Sequence, residues 1–242
     1  MMSLNDFRRE TVFERRVRLS SLLMSELGPE IKYGPYAGIS LLENVNWGRA
    51  DLASIILGVY ELEVINVLAE EIQARNKFID IGAGDGLHAV GAAKCLGFRK
   101  VVAYEIDAKG RDTVRRMAAL NGVTNKISVH GDIFEDRDTD ISQSCVLIDI
   151  EGAELDLLDQ KFAERVTGST LIVEMHTWTP HFWERWRFIV TLFDRWNVEV
   201  ISQGPRNPNA FKELEYWPDD NRFLVCSEGR RELGKWAVFR PI

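Results

Sequence analysis

From residue 77 onwards, short apolar segments alternate with segments of helical pattern, and this alternation restricts the possible folds more than any other feature. Strands are predicted at 77–81, 101–105, 127–130, 145–150 and 170–176. Helices are predicted at 87–96, 108–120, 153–166 and 180–196. Because parallel strands need a crossover connection, which is usually a helix, the pattern predicts an α/β fold with a doubly wound, mostly parallel sheet.

The flanking regions of the chain have different patterns. Strand-like segments at 198–202, 222–226 and 236–240 predict an antiparallel C-terminal edge. Residues 4–27 have the spacing of an amphipathic helix that Gly28-Pro29 would end, and an apolar helical stretch precedes Glu71. We therefore expect a helical N-terminal extension or cap over 1–70 and a main domain over 71–242. The extension could form a lid or a homodimer contact.

Charge and composition narrow the class of partner. The chain has 30 Lys and Arg against 37 Asp and Glu, a formal net charge of −7, which disfavours a nucleic-acid partner. It has no apolar run of the roughly 18 residues that a membrane helix needs and no apolar leader segment. Three scattered cysteines do not suggest a disulfide framework or a zinc cluster. A cytoplasmic protein with free thiols and no membrane partner is expected.

A glycine-rich turn follows the first predicted strand and opens a helix. Its residues are Gly82, Ala83, Gly84, Asp85 and Gly86. Glycines at such a turn let a ligand approach the backbone closely. A dinucleotide-binding turn would carry a further small residue where this chain has Leu87, and the carboxylates of Asp80 and Asp85 would repel a diphosphate. The same carboxylates suit the ammonium and sulfonium groups of S-adenosylmethionine.

Two further strand ends predict an adenosine site. Glu105, which ends the second strand, could accept both ribose hydroxyls, and Ile106 follows it. Asp132 and Ile133 follow the third strand and could contact the adenine amino group and ring. Since NAD carries the same ribose, an NAD-linked oxidoreductase remains the alternative.

The segment from Phe78 to His176 resembles the class I S-adenosylmethionine-dependent methyltransferases, which have a Rossmann-like fold. Within it, Ile148–Glu154 resembles the D-V-E-G-x-E signature of FkbM-type methyltransferases, and Ile172–His176 resembles the E-x-H strand end of that family. The resemblance implies S-adenosylmethionine as cofactor and methyl transfer to a hydroxyl on a sugar, polyketide or other small metabolite. It does not extend to the first 70 residues or beyond His176.

Polar residues at the ends of the fourth and fifth strands are the candidate catalytic groups. They are Asp149, Glu151, Glu174 and His176. In an open α/β sheet ligands bind beyond these strand ends, so we expect the four side chains to converge. An aliphatic hydroxyl needs its proton removed, and His176 is the predicted base. Asp149 could orient His176 or the acceptor hydroxyl and could also bind the amino group of the cofactor, and Glu174 is the third predicted catalytic residue.

Alternatives stay open at this site. Two or three of the same four residues could instead hold Mg²⁺, which would lower the pKa of the hydroxyl. Glu154 is interpreted as structural at a helix N-terminus, and His88 as a packing residue. Trp178 and Phe182 could border the acceptor pocket. A third hypothesis is a binding module that keeps the fold without catalysis.

Overall fold

The computed structural model describes residues 10–43 and 48–242 and contains one mixed sheet flanked by helices. The strands are β1 Lys77–Ile81, β2 Lys100–Tyr104, β3 Ile127–His130, β4 Cys145–Ile148, β5 Thr170–Glu174, β6 Trp196–Ser202 and β7 Lys235–Pro241. The helices are α1 Val12–Leu27, α2 Leu52–Ile56, α3 Leu62–Glu71, α4 Leu87–Gly91, α5 Ala108–Leu120, α6 Glu154–Leu157, α7 Gln160–Arg165, α8 Phe182–Leu192 and α9 Asp219–Cys226. A π-helical turn, Ala92–Leu96, continues α4.

The sheet confirms the predicted fold class. Its strand order is β3-β2-β1-β4-β5-β7-β6. The first five strands are mutually parallel, and β7 runs antiparallel to both β5 and β6. The chain order reverses between β1 and β4, so the crevice beyond the carboxyl ends of these two strands is where such sheets bind ligands.

One predicted strand is wrong. Residues 222–226 lie in α9, so β6 and β7 alone form the antiparallel edge within the described residues. Pro218 precedes this helix, and Asp219 and Asp220 occupy its first turn, where negative charge is favourable. Val225 and Cys226 are buried at its other end. These helix-start signals outweigh the short apolar run.

Several predicted elements end earlier than expected. The helix predicted at 153–166 is divided into α6 and α7, because the Asp159 side chain accepts a hydrogen bond of 2.7 Å from the Phe162 amide and begins a new helix. The helix predicted at 180–196 starts after His181, which is left-handed (φ 57°), and Trp196 already belongs to β6. Strands β4 and β5 stop at Ile148 and Glu174, so Asp149, Glu151 and His176 lie on the loops that follow.

The N-terminal region packs on the sheet. Helix α1 begins with a capping box between Thr11 and Glu14 and ends at Gly28, as predicted; residues 4–9 of the predicted helix lie outside the described residues. The apolar stretch before Glu71 forms two helices, α2 and α3. Leu23 and Leu68 belong to the same buried cluster as Phe78 of β1. The opposite face of the sheet has its own cluster, which includes Ile79 and Phe239.

Neither a membrane-spanning helix nor a disulfide bond occurs in the part of the chain that the structure describes. Helix α1, with 16 residues, is too short and too polar to cross a bilayer. Cys145 and Cys226 are buried free thiols, and Cys95 is a half-buried one. The sequence favours burial of all three thiols, and Cys95 departs from that expectation.

Candidate active site

The three glycines of the turn after β1 have different roles. Gly82 (φ 92°) lies against the backbone of the β4 loop, where a Cβ atom would come within 1.7 Å of the Asp149 carbonyl oxygen. Gly86 (φ 86°) lies against Val114 of α5. Gly84 (φ 52°) has open space where its Cβ would be. Gly82 and Gly86 therefore permit close packing, and Gly84 leaves room for a ligand.

Asp80 lies beneath this turn with an unpaired oxygen. Its side chain is buried, and Oδ2 has no hydrogen-bond partner. Burial raises the pKa of Asp80 to about 6. Ala83 is buried in the turn, whereas Asp85 is half-buried. An enclosed carboxyl with a free oxygen is suited to a positively charged ligand group and unsuited to a phosphate.

The predicted adenosine residues lie along the ends of β2 and β3. Glu105 accepts hydrogen bonds of 2.8 Å from the amides of Gly84 and Asp107, which fixes its carboxylate at the glycine turn. Ile106 is exposed, as expected of a ligand-contacting residue. Asp132 accepts a bond of 2.8 Å from the Phe134 amide.

Ile133 does not offer its side chain to a ligand. It is buried in the apolar cluster on one face of the sheet. Phe134 is partly exposed and is the better candidate for contact with an adenine ring. The sequence reasoning missed it because residues after a strand do not follow a regular alternation.

His176 is held in a defined orientation by Glu154. His176 Nδ1 lies 2.9 Å from Glu154 Oε1, which also accepts bonds from the Ile150 and Gly152 amides. Because that carboxylate is an acceptor, Nδ1 carries the proton and Nε2 faces Asp149 and Glu151, at 3.9 and 3.8 Å from their carboxylate oxygens.

The electrostatic environment of His176 favours its protonated form. Burial lowers the pKa of His176, but the carboxylates of Glu154, Glu174 and Glu151 together raise it more, so the net shift is upward. Burial alone would raise the pKa of Glu154, yet His176 and the backbone amides hold it below its usual value. Glu154 therefore stabilises the imidazolium and fixes which nitrogen faces the crevice, besides serving at the start of α6.

Asp149 and Glu174 form a coupled pair of carboxyl groups. Burial, together with the Glu174 and Glu61 carboxylates, raises the pKa of Asp149 well above its usual value. Asp149 Oδ1 is enclosed without a hydrogen-bond partner. Glu174 is buried and forms an ion pair with Arg230. Burial and the Glu61 carboxylate raise the pKa of Glu174 as well, and the Arg230 guanidinium opposes that rise.

Glu61 and Arg230 reach the site from distant parts of the chain, and no motif in the sequence indicates either residue. Arg230 contacts Glu61 at 2.5 Å, Glu228 at 2.9 Å and Glu174. Glu61 is a buried residue in the left-handed region (φ 45°), before α3. It also lies 2.8 Å from His88 Nε2, so His88 is an ion-pair partner as well as a packed side chain.

Within the described residues, two groups of three side chains have the spacing of metal ligands. The candidate ligand atoms of Asp149, Glu151 and His176 lie within 4.8 Å of one another, as do those of Glu61, Asp149 and Glu174. Arg230 already occupies Glu61 and Glu174, so the second set does not fit a divalent cation. The first set has suitable donor types, although the Glu151 side chain is 76% exposed.

The two aromatic residues predicted near the acceptor differ in position. Trp178 is 62% exposed, and its ring centroid lies 5.5 Å from that of His176. Phe182 is buried and stacks on Trp186 of α8, so its ring belongs to the apolar core and is not available to an acceptor.

A family model matches the central part of the chain. A family model described as ribosomal protein L11 methyltransferase (PrmA) matches residues 62–173, which include the glycine turn and strands β1 to β4. No curated protein matches the chain.

Solved structures of methyltransferases share this fold. A protein assigned as an O-methyltransferase from Klebsiella pneumoniae aligns with TM-score 0.52 and 12% identity over 98% of this chain and 93% of its own. A tRNA methyltransferase from Aquifex aeolicus aligns with TM-score 0.52 and 12% identity over 73% of this chain and 67% of its own. Human methyltransferase 10 domain containing protein aligns with TM-score 0.51 and 12% identity over 95% and 98%. At such identities the likeness establishes the fold alone.

Proposed function

Taking the chain as a class I S-adenosylmethionine-dependent methyltransferase, which the family match and the fold support, we propose that it methylates a hydroxyl group. The acceptor is a sugar, polyketide or other small metabolite, as in FkbM-type enzymes. The observation that carries this proposal is the position of His176 Nε2 beside Asp149, whose backbone lies directly against Gly82. An acceptor-activating group therefore adjoins the glycine turn.

The cofactor residues fit S-adenosylmethionine better than a dinucleotide. The enclosed carboxyl of Asp80 would lie at the amino-acid end, Glu105 at the ribose, and Ile106, Phe134 and Asp132 at the adenine. When bound, S-adenosylmethionine supplies the methyl group from its sulfonium. An NAD-linked oxidoreductase remains the alternative, but a diphosphate beside Asp80 and Asp85 would be repelled.

His176 takes the proton of the acceptor hydroxyl in this mechanism. Nε2 is the available nitrogen because Nδ1 donates to Glu154. The resulting imidazolium is stabilised by the Glu154 carboxylate, and Asp149 orients the hydroxyl from the other side. Asp149, Glu151 and His176 would hold a Mg²⁺ ion if one binds, and it would lower the pKa of the same hydroxyl.

Isothermal titration with S-adenosylhomocysteine tests the cofactor assignment. We expect saturable binding by the wild-type protein and about tenfold or greater weakening in Glu105→Gln, because the amides that the carboxylate holds lose a charged acceptor. Asp140→Asn is the matched control, since Asp140 pairs with Lys77 at the opposite, amino-terminal end of β1. Absence of binding, or binding of NADH in its place by fluorescence titration, would refute the assignment.

Methyl transfer itself is tested with methyl-labelled S-adenosylmethionine and a panel of glycosides, polyols and phenols. We expect label in an ether methyl group, identified by mass spectrometry and NMR, and loss of turnover in His176→Ala with cofactor binding retained. Label on a nitrogen or carbon atom of an acceptor would exclude O-methylation. Full turnover by His176→Ala would exclude the proposed base.

A further inference from the structure

We propose that Trp178 is the specificity-determining residue of the acceptor site and that its exposed indole face stacks on the sugar ring of a pyranoside acceptor. This inference rests on the proposed function, because it places the reacting hydroxyl at His176. Trp178 belongs to the loop between β5 and α8, which also carries His176. The indole is 62% exposed, which is unusual for a tryptophan whose ring also contacts a candidate catalytic side chain.

Two contacts fix the position of the Trp178 indole. Its ring meets the His176 imidazole at an interplanar angle of 66°, edge to face. Its six-membered ring lies on Gly152, where a Cβ atom would come within 2.9 Å of Cη2. Gly152 has φ 104°, so both its backbone conformation and this contact favour glycine. The indole is thus supported from below by the loop after β4, and much of its surface faces outward.

The loop that carries Trp178 holds it at a constant position relative to His176. The Thr179 amide and hydroxyl both donate to the His176 carbonyl oxygen, at 3.0 and 2.9 Å. The Thr177 hydroxyl donates to Glu232 at 3.0 Å, which joins the loop to the segment before β7. An acceptor whose hydroxyl reaches His176 Nε2 therefore extends along the indole.

The groups around Trp178 select the chemistry of that acceptor. Glu151, which precedes Gly152, and Glu232, which accepts a bond from Thr177, are exposed carboxylates on the segments that contact or carry Trp178, and the Arg230 guanidinium is engaged by three carboxylates. Carboxylates accept hydrogen bonds from hydroxyl groups and repel anionic ligands. An aromatic face flanked by such acceptors suits a neutral ring that has C–H groups on one face and hydroxyls at its edge, which is the arrangement in a pyranoside.

Saturation-transfer NMR on the full chain, loaded with S-adenosylhomocysteine, tests this inference with methyl β-glucopyranoside as the probe. We expect saturation of the ring C–H protons by the wild-type protein. In Trp178→Ala the signal should fall about fivefold, the loss expected for one aromatic stacking contact, and Trp178→Phe should restore most of it. Trp183→Ala is the matched control, since Trp183 of α8 is similarly exposed and packs on Phe182.

Several results would overturn the inference. They are an unchanged signal in Trp178→Ala, a loss of equal size in Trp183→Ala, equal saturation of the open-chain polyol sorbitol, and no saturation of the glucoside by the wild-type protein. Titration of each variant with S-adenosylhomocysteine separates this inference from the proposed function. If the wild-type protein does not bind that ligand, the proposed function fails; if it binds and only the glucoside result is negative, Trp178 alone is misassigned. Loss of cofactor binding in Trp178→Ala would indicate a structural role and also count against the inference.

Discussion

At the scale of single residues, the Glu154–His176 pair makes a prediction about protonation. Burial lowers the pKa of His176, but neighbouring carboxylates, Glu154 foremost, hold it above its ordinary value in the wild-type protein. In Glu154→Gln the burial effect remains and the carboxylate is gone, so the pKa should fall below the wild-type value. The chain has four histidines, so an NMR titration of the imidazole signals can resolve the change. The other three signals should not move between the two proteins, and an unshifted His176 would show that Glu154 does not control it.

The sequence predicted which residues of the β4 and β5 loops approach one another, but it did not predict their bonding. Asp149, Glu151 and His176 could be placed together because neighbouring parallel strands end at one edge of a sheet. The role of Glu154 could be predicted only in part. Its position at a helix start is a local feature, whereas its contact with His176 depends on the path of two loops after their strands end.

At the scale of elements, the packing of the glycine turn predicts losses of stability of different size for two similar substitutions. Gly82→Ala would place a Cβ atom within 1.7 Å of the Asp149 carbonyl, so the loops after β1 and β4 would have to separate. We expect a loss of about 3 kcal/mol or more in the free energy of unfolding, from overpacking and from the positive φ. Gly84→Ala should cost only about 1–2 kcal/mol, since its Cβ meets no atom.

Urea unfolding and ligand titration distinguish the two variants. Gly84→Ala should fold and bind S-adenosylhomocysteine more weakly, because its new methyl group projects into the open space at the turn. Equal stability of the two variants would mean that Gly82 does not pack as described. Unchanged ligand affinity in Gly84→Ala would mean that the open space is not the cofactor site.

Element type was predictable where periodicity extended over a full strand or helix, as in β1 to β5 and α5. The prediction of element type failed at 222–226, where five residues were too few to distinguish a strand from the end of a helix. The Pro-Asp-Asp sequence at 218–220 was the available signal for a helix start. Similarly, the Asp159 cap that divides α6 from α7 was present in the sequence but not separable from a continuous amphipathic helix.

At the scale of the whole molecule, buried ion pairs join the two ends of the chain over the crevice. Glu61 and Arg230 are 169 positions apart, and Glu63 pairs with Arg206 from the segment after β6. Arg16 of α1 pairs with Asp51 and also donates to the Ser227 carbonyl, in the segment that carries Arg230. No local pattern indicates such pairs. The sequence could therefore place the β-strand half of the site and not the half supplied by the N-terminal region and the C-terminal segment.

Arg230→Met tests whether this network stabilises the fold. The substitution leaves Glu61, Glu174 and Glu228 without their shared guanidinium, whose central carbon lies 5.1 Å from the centroid of the Trp236 ring. Breaking a buried ion pair from one side costs about 3–5 kcal/mol, so we expect a loss near the lower figure in urea unfolding at pH 7. Arg185→Met is the control: its pair with Asp156 is exposed, and its loss should cost less than about 1 kcal/mol.

The pH dependence of this loss of stability distinguishes the contribution of the Arg230 charge from the contribution of its packing. In the wild-type protein burial acts to raise the pKa of both Glu61 and Glu174. His88 and Arg230 oppose this rise at Glu61, and Arg230 opposes it at Glu174. Without the guanidinium, the pKa values of both carboxyl groups rise in the folded state. At low pH both groups are protonated, and the free-energy cost of burying their unpaired charges disappears. At higher pH the ionised carboxylates destabilise the fold. The difference in unfolding free energy between Arg230→Met and the wild-type protein should thus be larger at pH 8 than at pH 5. A difference independent of pH would mean that Arg230 stabilises the molecule by packing on Trp236 and not by neutralising the carboxylates.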